Sequence, residues 1–167
     1  MLKDFYAVFS TVCFTLLGLW LIVVQTRHAE WRRSSIHRRR AYGVSLYFAL
    51  PGLMGLLSLV DPANSDMWRV SFGLVALGGI VVLIVVRGPA PTRLGAWAYF
   101  AAMVLYALVA VVAIAPGTVD DLGLSVAALR VEAVLLTALV FLGVNVAWLL
   151  LFDETTIGSG NELGEMA

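Results

Sequence analysis

The chain has 167 residues, a formal net charge of zero, 61% hydrophobic residues and only 13% charged ones. Soluble domains carry about 25% charged and about 45–50% apolar residues. This composition cannot cover a water-facing surface, which excludes an ordinary soluble domain and makes lipid part of the solvent.

The first apolar run spans residues 5–25, "FYAVFSTVCFTLLGLWLIVVQ". Crossing about 30 Å of hydrocarbon takes about 20 apolar residues in a helix, and this run suffices. Only Lys3 precedes it as a base, its apolar core is long, and no small-residue cleavage site follows. It therefore reads as a retained anchor rather than a signal peptide. At 100° per residue, Asp4, Thr11, Thr15, Gly18 and Gln25 fall within an arc of about 80°. This is the most organised polar stripe in the sequence. It has two expected uses: interhelical glue, in which small and hydroxyl residues let helices approach and bond, or the wall of a wet path.

Residues 26–40 form a basic loop containing Arg27, Arg32, Arg33, Arg38, Arg39 and Arg40. Beside a membrane span, such a cluster marks the cytoplasmic side and attracts anionic headgroups. Arg32, Arg33, Arg38, Arg39 and Arg40 are the expected contacts to lipid or to a protein partner. Nucleic-acid binding would want a second basic surface or a stacking platform. The loop offers only Trp31, so a nucleic-acid partner is not expected. His28 and His37 in the same segment read as solvated.

The second run, residues 41–60, contains Pro51 and Gly52 in its middle. Proline removes a helical hydrogen bond and kinks the helix, so Pro51 and Gly52 are read as a packing kink or a hinge. The third run, residues 70–86, barely reaches spanning length and steps through Gly73, Ala76 and Gly79. The fourth, residues 94–116, steps through Ala107, Ala110 and Ala113. Both patterns are small-residue faces suited to close helix packing. The fifth run, residues 133–152, carries Thr137 and Asn145, which join the candidate pore or helix-interface face. Trp68, Trp97, Trp148 and Trp31 are expected as an interfacial aromatic belt. The tail, residues 153–167, is acidic and glycine-containing and is expected to be flexible.

With five spans the loops alternate sides. One side collects Arg27, Arg32, Arg33, Arg38, Arg39, Arg40, Arg87 and Arg93, against Lys3, Arg69 and Arg130 on the other. The basic side is expected to be cytoplasmic, with the N-terminus outside and the C-terminus inside. The expected architecture is all-α: a polytopic five-helix transmembrane bundle over residues 1–152, multi-pass in a bacterial plasma (inner) membrane.

Between the end residues of the five runs there is no Asp, Glu, Lys, Arg or His. Arg69, Arg130 and Glu132 sit at the outer ends and are assigned to an outer mouth. Cys13 is alone and both histidines lie outside the hydrocarbon, so no metal set is visible. No phosphate-binding glycine loop is present. No cofactor and no catalysis are expected. What remains is a homo-oligomeric passive channel or permeation protein for a small ion or solute, or else a scaffold that uses its arginine segment on anionic inner-leaflet lipid or a partner.

Overall fold

The computed structural model describes residues 2–31, 35–60, 65–86, 93–117 and 128–152. Among these, the elements in chain order are α1 (Leu2–Thr26), the short α2 (His28–Trp31), α3 (Ser35–Val60), α4 (Ser65–Val86), α5 (Arg93–Ile114) and α6 (Ala128–Phe152). Five of them are long and apolar enough to cross a membrane. At 1.5 Å per residue, helices of 22–26 residues reach roughly 33–39 Å.

The helices start earlier than the apolar runs suggest. α3 begins at Ser35 rather than at 41, so Arg38, Arg39 and Arg40 stand on its first turns and not in a loop. The expected loop of residues 26–40 is also interrupted by α2. α4 gains a turn over the expected 70–86, and α6 begins at Ala128 rather than 133. Apolar composition marks where lipid can touch a helix, whereas the backbone hydrogen-bond ladder continues into polar residues wherever nothing breaks it. The tail and the 87–92 turn lie outside the described residues.

Neighbours in sequence run antiparallel. Trp20 near the end of α1 donates Nε1–H to the Ala41 carbonyl near the start of α3, at 3.1 Å. Gly43 of α3 lies against Val86 at the end of α4. Arg69 at the start of α4 reaches the last carbonyls of α5. α3 is the central helix and packs on α1, α4 and α6, and α5 closes the other side between α4 and α6. α1 leans almost wholly on α3 and touches α6 only lightly.

Missing side chains set the close crossings. A Cβ at Gly52 would meet Cys13 Cβ at 3.0 Å and the Phe14 ring at 3.2 Å, and one at Gly55 would collide with Ser10 Oγ. These two α3 glycines let α1 lie against α3. Gly143 of α6 does the same for Tyr47 of α3, and Gly79 of α4 for Tyr106 of α5. Ala76, Ala110 and Ala113 are buried as the small-residue reading expects, but Ala107 is exposed. Pro51 is buried within an α3 that is assigned as helix on both sides of it. Gly52 is buried beside it, and its missing side chain is filled by α1.

Candidate functional site

Three groups of residues carry the polar chemistry of the bundle. The first is the stripe on α1. Asp4, Thr11, Thr15, Gly18 and Gln25 are all exposed, while the buried residues of α1 are Tyr6, Phe9, Ser10, Cys13 and Trp20. On a helical wheel the two sets are centred roughly 160° apart. The stripe is therefore not glue between helices of one chain. α1 is a peripheral helix that packs through aromatics and small residues, and its polar face points away from the bundle. Thr11 Oγ1 donates to the Ala7 carbonyl at 2.9 Å, and Thr15 Oγ1 to the Thr11 carbonyl at 2.8 Å. These local bonds satisfy the hydroxyl protons without a neighbouring helix. Nothing lies within 4 Å of the position a Gly18 Cβ would take. On α6, Thr137 and Asn145 are likewise exposed. Thr137 Oγ1 donates to the Ala133 carbonyl at 2.8 Å and Asn145 Nδ2 to the Phe141 carbonyl at 2.7 Å.

The second group is at the basic end, where α1 finishes and α3 begins. Arg38 and Arg39 are exposed and Arg40 is half-buried. Arg32 and Arg33 lie outside the described residues. Trp31 departs from the interfacial belt expected of it. It is buried at 3% exposure and packs on Trp20 with ring centroids 5.9 Å apart. The segment between the first two spans is thus anchored to the bundle by an aromatic pair. Trp97 and Trp148 remain exposed, as belt residues would be.

The third group lies at the opposite end and was the least visible in sequence. The three residues assigned to an outer mouth separate into three roles. Arg69 donates Nε–H to the Ala113 carbonyl and Nη2–H to the Ile114 carbonyl, both at 3.1 Å. A guanidinium on the last carbonyls of α5 satisfies acceptors that have no helical partner and sits at the negative end of the helix dipole. Arg130 is exposed. Glu132 is fully buried at 0% exposure, and neither carboxyl oxygen has a hydrogen-bond partner among the described residues.

Tyr6 is the neighbour tied to Glu132, and buried groups of α1, α3 and α4 pack in the same end of the bundle. Tyr6 of α1 is close enough to act on it electrostatically, and the Tyr6 hydroxyl donates to the Leu129 carbonyl on α6 at 2.8 Å. Ser10, one turn along α1, is buried with an unpartnered Oγ against Gly55. On α3, Ser58 Oγ donates to the Gly55 carbonyl at 2.7 Å. Phe72 and Trp68 of α4 pack edge-on around the Tyr6 side. A buried carboxylate without a partner costs several kcal/mol even after relaxation. The start of α6 offsets at most about 2 kcal/mol through its dipole. The surroundings therefore disfavour the charged form of this carboxyl.

Sequence reasoning placed Glu132 at a helix end, because the apolar run begins one residue later. The earlier start of α6 puts it a full turn inside. One signal for this was available in sequence: an isolated Glu next to an unbroken apolar run, with no base at i+3 or i+4. No group of three or more His, Cys, Asp or Glu side chains among the described residues is placed to hold a metal ion. Five helices compatible with an integral, multi-pass membrane protein are what the fold establishes. Compared with known protein families, curated proteins and solved structures, the chain matches none.

Proposed function

We propose that the chain is a non-catalytic membrane protein that assembles with copies of itself through the outward face of α1 and forms a passive path for a small ion or solute along it. The observation that carries this reading is the position of Asp4, Thr11, Thr15, Gly18 and Gln25. All five are exposed on a helix whose opposite face alone is packed. A full-length polar stripe facing hydrocarbon gains little, whereas the same stripe around a symmetry axis supplies uncharged polar lining. Five closely packed helices leave the space between subunits as the natural place for such a path. Residence in a bacterial plasma membrane, with the arginine-rich end cytoplasmic, belongs to the same reading.

Reconstitution into liposomes with parallel potassium, proton and chloride flux assays is the direct test. Thr15→Leu is expected to leave assembly intact and abolish flux, because an apolar ring at a constriction gates by dewetting. A flux-silent protein in which single cysteines introduced from Phe9 to Gln25 are uniformly unreactive would refute it.

A scaffold that presents the basic end to anionic lipid or to a protein partner is the second reading. It is favoured by Arg38 and Arg39, exposed on the first turns of α3 beside the Trp20–Trp31 anchor. Replacing Arg38, Arg39 and Arg40 with Gln is then expected to weaken binding to anionic vesicles by about 1 kcal/mol per charge.

A further inference from the structure

We propose that Glu132, buried on α6 beside Tyr6 of α1, is a proton-binding site inside the bundle, separate from the outward face of α1. The carboxyl is completely buried and both its oxygens lack a partner. A second buried polar group, Ser10 Oγ, is also unpartnered on the α1 face beside Tyr6. An enclosed carboxylate needs a positive charge against it, and no described residue hydrogen-bonds to either oxygen.

The groups facing this region from each packed helix are few. α1 brings Tyr6, whose proton is already given to the Leu129 carbonyl, with Lys3 and Asp4 exposed at its start. The half of α3 that reaches this end, from Phe48 to Val60, has no titratable side chain. α4 brings Arg69, which is committed to the α5 carbonyls. α5 brings Tyr106, whose hydroxyl is turned to the Leu46 carbonyl at 3.5 Å. On α6 itself Arg130 is exposed. In sequence, residues 61–64 and 118–127 contain Asp61, Asp120 and Asp121 but no Lys, Arg or His. Among the described residues no base is hydrogen-bonded to Glu132.

A metal cation is poorly served. Sodium or a divalent ion wants a shell of oxygens. Among the described residues no group of three or more His, Cys, Asp or Glu side chains is placed to supply one around Glu132. A proton needs only the carboxylate: one O–H bond forms, the charge vanishes, and the acid gains a hydrogen to donate. The Tyr6 oxygen on the neighbouring helix, which gives its own hydrogen to the Leu129 carbonyl, keeps lone pairs that can accept it. Binding and release of that proton would change the charge of the enclosed site by one and reset its hydrogen bonding to α1.

The test uses the full chain in lipid vesicles. Infrared spectroscopy at neutral pH is expected to show the carbonyl stretch of a protonated, non-exchanging carboxyl, and Glu132→Gln is expected to lose it. The amide is the neutral isostere of the acid, so this variant should keep its oligomeric state. Dicyclohexylcarbodiimide, which reacts with protonated carboxyls in apolar surroundings, should place its adduct on Glu132 in preference to Asp4, more slowly as pH rises. This mapping assigns the band even where Glu132→Gln folds poorly. Absence of the band in the unaltered protein at neutral pH would overturn the proposal. So would its loss on adding sodium chloride in place of choline chloride at constant pH, since that would mark a metal-cation site.

Discussion

The α3–α6 crossing makes a sharp mutational test, because one glycine carries it. A Cβ added at Gly143 would lie 2.5 Å from Tyr47 Cβ, 3.2 Å from Tyr47 Cγ and 3.3 Å from Phe48 Cε1. Carbon pairs are comfortable at about 3.5–4.0 Å, so the first contact is roughly 1 Å too short. The obstructing atom is a Cβ, which no rotamer change can move. Relief requires α3 and α6 to separate. Overpacking of this kind costs about 1–3 kcal/mol, while alanine's better helix propensity returns about 1 kcal/mol. Gly143→Ala is therefore expected to be net destabilising by about 0–2 kcal/mol, and Gly143→Leu by more. Gly18→Ala is the internal control, since nothing lies within 4 Å of its added Cβ. There only the propensity gain applies, and the variant should be at least as stable as the parent by up to about 1 kcal/mol. Thermal unfolding followed by size-exclusion chromatography in detergent ranks the three proteins. If Gly143→Ala is as stable as Gly18→Ala, the close approach of α3 and α6 is wrong, and with it the reason for the glycine.

Arg69→Gln should release the Ala113 and Ile114 carbonyls and lower stability by about 1–3 kcal/mol, as expected for hydrogen bonds to a charged group, with Arg69→Lys in between. Thermal unfolding reads both. Trp20→Phe keeps the ring packing on Trp31 but removes the bond to the Ala41 carbonyl. It should cost about 0.6–2 kcal/mol, and a parent-like melting temperature would mean that this bond contributes nothing. In a Cys13→Ala background, cysteines at Ser35 and Ser159 should be protected from an impermeant thiol reagent in intact cells and one at Ser65 should be labelled. Outside labelling at Ser35 would reverse the orientation. Gly18→Leu should shift the oligomer distribution in cross-linking without lowering the melting temperature of the subunit. A drop in subunit stability instead would place Gly18 inside the fold.

Five helices were legible in the sequence because lipid leaves a chain so few options. Every backbone polar group must be satisfied within the segment, and about 20 apolar residues must follow one another. The runs at 5–25, 41–60, 70–86, 94–116 and 133–152 announce themselves on those grounds alone. The glycine and alanine steps through Ala76, Gly79, Ala110 and Ala113 also read correctly as close-packed surfaces, because absent side chains are a property of the residue and not of its neighbours. Which face of each helix meets protein and which is left outward was not legible. In a soluble helix, polarity points to water and marks the buried side. In an apolar bundle leucine suits either side, and Thr11, Thr15 and Thr137 bond to their own helix. So the α1 stripe of Asp4, Thr11, Thr15, Gly18 and Gln25 was recognisable as a face, but only tertiary packing turned it away from the bundle. The same holds for Trp31, which a sequence places at an interface and the fold places against Trp20. Arg69, Arg130 and Glu132 look alike as polar residues near span ends. They diverge because α5 ends beside Arg69 and leaves carbonyls to cap, because Arg130 falls on an open face, and because α6 starts a turn early and carries Glu132 into the bundle beside Tyr6. Composition decided that this chain would make helices of spanning length, and the order in which those helices pack decided which of its few polar atoms would be shut away from solvent.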